Sequence, residues 1–273
     1  MILDVNTDTI EKKQYMGRVD LTKVLIPSHV KIIENWAFAQ CTNLRTVAMP
    51  SALKHLGKDV FLDCAKLDKI VIYKGDCQND FSDEEYAMAE LVAIALLKFD
   101  DVSLKIFSDI GSASWIEKWD ESCMKYILLD DSINFSPFLA GGEEDYEDKD
   151  NNLEYYCSKI RKSKINMVVR RLCFEKYFSI KNGARADYIA YLRKYLVKKD
   201  GVGIGETMEV LFDDIDNISA VFDIYDKEKF FEEVNIDELI AMTSASAVEL
   251  TALLIKKKSS FVNSQLTWDE YEL

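Results

Sequence analysis

Histidine is almost missing from this chain of 273 residues: His29 and His55 are its only imidazoles. That leaves little for a zinc site or for imidazole acid–base catalysis. Glycine is scarce too, with 10 residues, about half the usual share of roughly 7%, which disfavours Gly-rich phosphate loops. The one cluster, Gly201 to Gly205, has Glu206 where a dinucleotide fingerprint needs Gly or Ala, and it follows a helix-like segment ending in Lys198, Lys199 and Asp200. It reads as a helix stop and a turn. None of the six cysteines (Cys41, Cys64, Cys77, Cys123, Cys157, Cys173) forms a Cys-x-x-Cys pair. The opening residues MILDVNTDTIEKKQ carry three acids and no apolar stretch, so no signal peptide is expected, and a cytoplasmic location with free thiols follows. The longest apolar run, Leu91 to Leu97, is too short to span a bilayer. Asp76, Gln78 and Asp80 have calcium-loop spacing, but Phe81 and Ala87 stand where that loop needs Gly and Glu. No catalytic residue, metal site or cofactor is expected.

Positive charge is also in deficit. Lys and Arg number 34 against 48 Asp and Glu, a net charge of −14. General nucleic-acid binding is excluded on that ground, and an anionic membrane surface is disfavoured. The imbalance is local. Residues 1–80 hold 11 cations and 10 acids, and residues 81–273 hold the remaining 23 and 38. The acidity therefore belongs to the second part of the chain, and it peaks in the run Glu143 to Asp150 after Gly141 and Gly142. Such a run reads as a solvated loop.

What the sequence does have is a repeat. Residues 21–43 and 44–66 align at an offset of 23, and the pattern runs on into a third copy. Leu21 maps to Leu44 and Leu67, Val24 to Val47 and Ile70, and Ile26 to Met49 and Ile72. Pro27 maps to Pro50, Val30 to Leu53, Ile33 to Leu56, Phe38 to Phe61 and Cys41 to Cys64. Val24 and Ile26 share one face of a short strand, which proline ends. A second short strand over Val30 to Ile33 and a helical or 3₁₀ turn carrying Phe38 and Cys41 complete each copy. Stacked copies put Val24, Val47 and Ile70 in one column, roughly 4.8 Å apart. Cys41 and Cys64 then serve as small apolar fillers.

The pattern Leu-x-x-Val-x-Ile-Pro-x-x-Val-x-x-Ile, followed by Ala-Phe-x-x-Cys-x-x-Leu, resembles the BspA-type leucine-rich repeat over about residues 15–74. That resemblance implies a binding or adhesion module with no catalytic residue in the repeat, of a kind common in bacteria.

From residue 81 the apolar period becomes 3.6. Ser82 and Glu85 form a capping box ahead of the stretch to Phe99, and Ser114/Glu117 and Ser246/Glu249 repeat the device before Trp115–Leu129 and Ala247–Lys257. Ile165, Val168, Val169, Leu172 and Cys173 share one helical face, and Tyr188, Leu192, Tyr195 and Leu196 share another. Helical segments are expected near 165–180, 184–199 and 236–257, with only Pro137 interrupting the whole stretch. The tail from Ile236 is similar to helical regions that follow short BspA-type repeats. The expected fold class is α+β: a leucine-rich-repeat solenoid of parallel strands with two to three coils over residues 1–78, then an all-α bundle or solenoid over 79–273. An open solenoid end would expose apolar faces and strand edges, so the Leu91–Leu97 helix is expected to cap it.

Function follows as an expectation: a non-catalytic protein-interaction or scaffold protein. If Val24 and Ile26 point inward, strand alternation turns their neighbours outward. Leu25, Ala48 and Val71 then form an outward stripe beside Lys23, Thr46 and Lys69. That row suits a protein partner with apolar and acidic groups, such as the acidic part of a second copy in a homo-oligomer. The alternative is an enzyme with a carboxylate-based site in the helical part, using Asp213/Asp216 or Asp226/Glu228.

Overall fold

The computed structural model describes residues 3, 5–75, 81–133, 153–198, 201, 203–212, 218–243 and 247–269. The chain divides into two compact units, one of residues 1–126 with 177–180, the other of residues 127–176 with 181–273.

The first unit is built on two three-stranded parallel sheets. One runs β1 (Thr9–Ile10), β3 (Ile32–Ile33), β5 (His55–Leu56), the other β2 (Lys23–Leu25), β4 (Thr46–Pro50), β6 (Lys69–Tyr73). Register follows the sequence offset: Val24 pairs with Val47 and Val47 with Ile70, while Ile10 pairs with Ile33 and Ile33 with Leu56. Every step of 23 residues thus returns the chain beside itself. Val24, Ile26, Val30, Ile33, Phe38, Cys41 and Leu44, with their copies Val47, Met49, Phe61, Cys64 and Ile70, fill the interior. The rings of Phe38 and Phe61 stack at 5.8 Å, and Tyr15 extends the column at 5.2 Å from Phe38. Tyr15, Ile10 and Leu3 lie 23 residues before Phe38, Ile33 and Ile26, so a further copy precedes residue 21. It has no Pro or Cys marker, since Asp4 and Arg18 occupy those positions. Pro50 is the last residue of β4 and so leaves no gap inside the ladder.

Helix α1 (Asp83–Lys98) opens with the expected capping box, Ser82 and Glu85 serving each other's backbone N–H. It packs on β6, the last strand. Ala87, Ala89, Leu91, Val92, Ala93 and Ala95 are all buried, so the helix needs cover on more than one side. Helix α2 (Ala113–Ile127) supplies part of it: Trp119 Nε1 donates to Leu91 O at 2.8 Å and Trp115 Nε1 to Leu104 O at 3.1 Å. The cap of α2 is Ser112, which accepts from the Trp115 N–H at 3.2 Å, and not the expected Ser114. The serine two residues earlier wins because Gly111, at φ +85°, bends the chain ahead of it.

The second unit is helical: α3 (Leu153–Cys173), α4 (Asn182–Arg193), α5 (Glu206–Glu209), α6 (Ile218–Lys227), α7 (Ile236–Met242) and α8 (Val248–Asp269). The α3 face of Ile165, Val168, Val169 and Leu172 is buried as expected, and α4, α5 and α6 pack against this helix. Two expected helices are shorter. The segment 184–199 leaves the helix after Arg193 because Val197 bridges back to Ile204 through a hairpin, with Gly201 and Gly203 at positive φ. The glycine cluster is that hairpin. The segment 236–257 splits into α7 and α8: Asn235 caps α7, and the Thr243 hydroxyl turns back onto Ile240 O as the chain becomes extended. The architecture is α+β, with parallel strands first and helices after. Among the described residues, no helix is long and apolar enough to cross a membrane.

Candidate interaction surface

The expected outward stripe is not a surface. Ala48 and Val71 are 8% and 5% exposed, and they pack with Tyr73 and with Ala89 of α1, with Leu25 and Phe81 at the margin. The strand alternation is as expected; the alanines of α1 allow it to lie close against this face. Lys69 turns to the same helix, 3.5 Å from the buried carboxylate of Glu90. Thr46 is half-buried and Lys23 alone of the six is exposed. The apolar row therefore joins sheet to helix within one unit, and its expected availability to a partner is corrected.

A different surface opens at the last copy of the repeat. The turn segments carry a hydrogen-bond ladder of their own. Lys13, Tyr15 and Gly17 donate backbone N–H to the carbonyls of Asn35, Ala37 and Ala39 at 3.3, 2.8 and 2.8 Å. Trp36, Phe38 and Gln40 donate to Lys58, Val60 and Leu62 at 3.1, 3.0 and 2.7 Å. The conformation repeats with the sequence: Lys13, Trp36 and Asp59 all have φ between 53° and 61°, and Gln40 and Asp63 follow Gly17 into the same region. Asp59, Phe61 and Asp63 are the next donors in this register, and among the described residues their backbone N–H groups have no acceptor. These residues line a groove of about 670 Å³, whose other wall is Leu96 to Asp100 and Lys105. Leu62 and Leu97, 48% and 37% exposed, face it as apolar contacts.

The turn also orders the cysteines. Cys41 Sγ donates to Tyr15 O and Cys64 Sγ to Phe38 O, both at 3.1 Å. Contact with Cys41, then burial, pushes the Cys64 thiol up. Cys41, Cys64, Cys123, Cys157 and Cys173 are not joined in disulfides.

The second unit holds a charged cluster that periodicity reasoning passed over. Arg161, 6% exposed, pairs with Asp131 at 3.0 Å and Glu206 at 2.5 Å, and Lys164 meets Asp131 at 2.7 Å and Leu129 O at 2.6 Å. Burial alone would lower the Arg161 pKa, but the hydrogen bond to Asp131 and the charge of Glu206 outweigh it and raise it. Arg161 and Lys164 stand four and one residues before Ile165, on the buried face of α3; cations at apolar-stripe positions were the legible signal. Arg161 lines a cleft of about 520 Å³ with Tyr195 and Lys198. Their charges are spent on fixing the 127–133 segment and α5 to α3. Of the carboxylates considered for catalysis, Asp226 pairs with Lys257 and Glu228 with Arg185. Asp213 and Asp216, the run Glu143–Asp150 and Cys77 lie outside the described residues.

An α+β unit whose parallel strands recur every 23 residues is a repeat module. Residues 8–110 match the model of the BspA type leucine-rich repeat region, in six copies. The matched stretch begins in the early copy around Ile10 and Tyr15 and takes in α1. The N-terminal part of the chain is thus a BspA-type leucine-rich repeat region, and such repeats suggest a role in protein interaction. No curated protein and no solved structure matches the chain.

Proposed function

We propose that this protein is a non-catalytic interaction or scaffold protein, in which the repeat part, residues 1–78, recognises a protein partner with the help of the end of α1, and residues 79–273 form a helical domain. The observation that carries the reading is the unfinished backbone ladder at Asp59, Phe61 and Asp63 beside the exposed Leu62 and Leu97. Repeats stabilise one another through their neighbours, so a terminal copy with open donors is a place where another chain can add. On the strand surface Lys23 is exposed, and Leu25, Thr46 and Lys69 are half-buried. Asp226 and Glu228, each in an ion pair, favour a structural role for those carboxylates. The reading includes a reducing compartment, where the thiols of Cys41 and Cys64 stay free.

The test is affinity capture from the native cells with the full chain as bait, followed by reconstitution of any recovered protein with the purified chain by calorimetry. A direct, saturable one-to-one complex supports the reading. Failure of every recovered protein to bind the purified chain, together with turnover of a small molecule by it, would overturn it.

A further inference from the structure

We infer that the groove at the last repeat takes one short segment of a partner polypeptide, in the turn conformation of the repeat itself, which pairs with the Asp59–Phe61–Asp63 amides in the place of a further repeat. This rests on the interaction reading above and adds to it the site, the binding mode and the chemistry of the partner.

Three features of the groove specify the occupant. The first is the spacing of its donors. Amides at alternate residues 59, 61 and 63 call for carbonyls at alternate residues, which a peptide in the turn conformation of residues 35–39 and 58–62 supplies and small molecules do not. The preceding rung shows the geometry such a row accepts: Trp36, Phe38 and Gln40 donate to the carbonyls of Lys58, Val60 and Leu62 at 2.7 to 3.1 Å. The second is size. A groove of about 670 Å³ falls within the roughly 300–1,000 Å³ of ordinary ligand sites and suits a short segment, with α1 closing the other side against a whole domain. The third is the side chains. Leu62 and Leu97 offer apolar contact in the middle. The exposed carboxylates of Asp59 and Asp63 flank the amide row at either end. An occupant with an apolar residue between two cationic ones is complementary to that order. Lys58, Lys98 and Lys105 balance Asp59, Asp63 and Asp100 in the lining, so backbone pairing, more than long-range attraction, holds the segment.

The probe is a capped peptide with the sequence of residues 57–65, the segment that fills this position for the preceding repeat, with both aspartates replaced by lysine and the cysteine by serine. Hydrogen exchange is measured on the full chain with and without it. In the free chain the amides of Asp59, Phe61 and Asp63 should exchange fast, unlike those of Phe38 and Gln40. The probe should slow them at least ~10-fold. Leu62→Asp should abolish that protection while leaving exchange in the rest of the repeat unchanged, since Leu62 is an exposed side chain. A peptide keeping the two aspartates should bind more weakly. Slow exchange at these three amides in the free chain, no added protection at millimolar probe, or protection that survives Leu62→Asp would each overturn the proposal. A partner captured equally well by the wild type and by Leu62→Asp would leave the interaction reading standing and remove only this site.

Discussion

Replacing Val71 by glutamate separates a buried sheet–helix seam from an open docking stripe. Val71 is 5% exposed and packs with Ala48, Tyr73 and Ala89. Removing its side chain from cover forfeits about 1.5–3 kcal/mol. A carboxylate in its place adds a desolvation cost of several kcal/mol, met by protonation or by lifting α1 off the sheet. The buried carboxylate of Glu90, 3.5 Å from Lys69 on the same face, offers the newcomer no relief. The sum, roughly 4–6 kcal/mol, is a large part of an ordinary domain's 5–15 kcal/mol. In urea, with a slope of about 2 kcal/mol/M, the midpoint should fall by roughly 2–3 M, followed by near-ultraviolet dichroism from the buried Trp115 and Trp119. The penalty depends on pH with a definite sign. Burial raises the pKa of the introduced acid above its unfolded value of about 4.3, so the loss grows as pH rises through that value and is smaller at pH 4 than at pH 8. Lys23→Glu, at an exposed site, should stay within about 0.5 kcal/mol of the wild type. An unchanged midpoint in Val71→Glu with lost association would refute the reasoning, because it would make the stripe a contact surface with α1 not seated on it.

Phe38→Ala removes the middle ring of the Tyr15–Phe38–Phe61 column, which is fully buried; a loss of about 3–5 kcal/mol is expected by chemical denaturation. Gly205→Ala would set a Cβ 2.3 Å from Tyr195 O, so the hairpin must open and Tm should fall, by calorimetry, as for a loss of roughly 1–3 kcal/mol. Arg161→Ala strands the Glu206 carboxylate and leaves Asp131 to Lys164 alone; about 3 kcal/mol should be lost in urea titration, and Arg161→Lys should restore only part of it. Asp101 has its pKa lowered, first by the hydrogen bond from Ser103 and also by that from Ser122. Its contribution is therefore present above the unfolded value and lost as pH falls through the lowered folded one. Asp101→Ala should cost about 0.5–2 kcal/mol at pH 7, and the difference from the wild type should start to shrink below about pH 4 and vanish only once the pH is under the lowered folded value.

The 23-residue repeat was open to reading because it is written in side chains that serve a single purpose. Val24, Val47 and Ile70 are interchangeable apolar fillers of one column, and Pro27 and Pro50 mark one strand end. The early copy was harder to see. Ile10 and Tyr15 keep the columns, but Asp4 and Arg18 replace the Pro and Cys that advertise the later ones. Helix limits were legible where a cap is explicit, as at Ser82 with Glu85. They were misread where two candidates compete, as with Ser112 and Ser114, or where a bridge such as Val197 to Ile204 withdraws residues from a helix.

Sequence by itself determined the period, the inward columns, the class of each half of the chain and the place where strands give way to helices, because each depends on neighbours along the chain or on an exact offset. Tertiary structure alone decided which of the two outward surfaces is open. Strand alternation turns Leu25, Ala48 and Val71 outward, but only the seating of α1 against β6 makes them interior. The same helix leaves the turn of the last repeat uncovered at Asp59, Phe61 and Asp63. Backbone donors carry no residue-type signal, since every non-proline residue has one. Whether a donor finds an acceptor depends on where a distant segment comes to rest, and that is settled by packing.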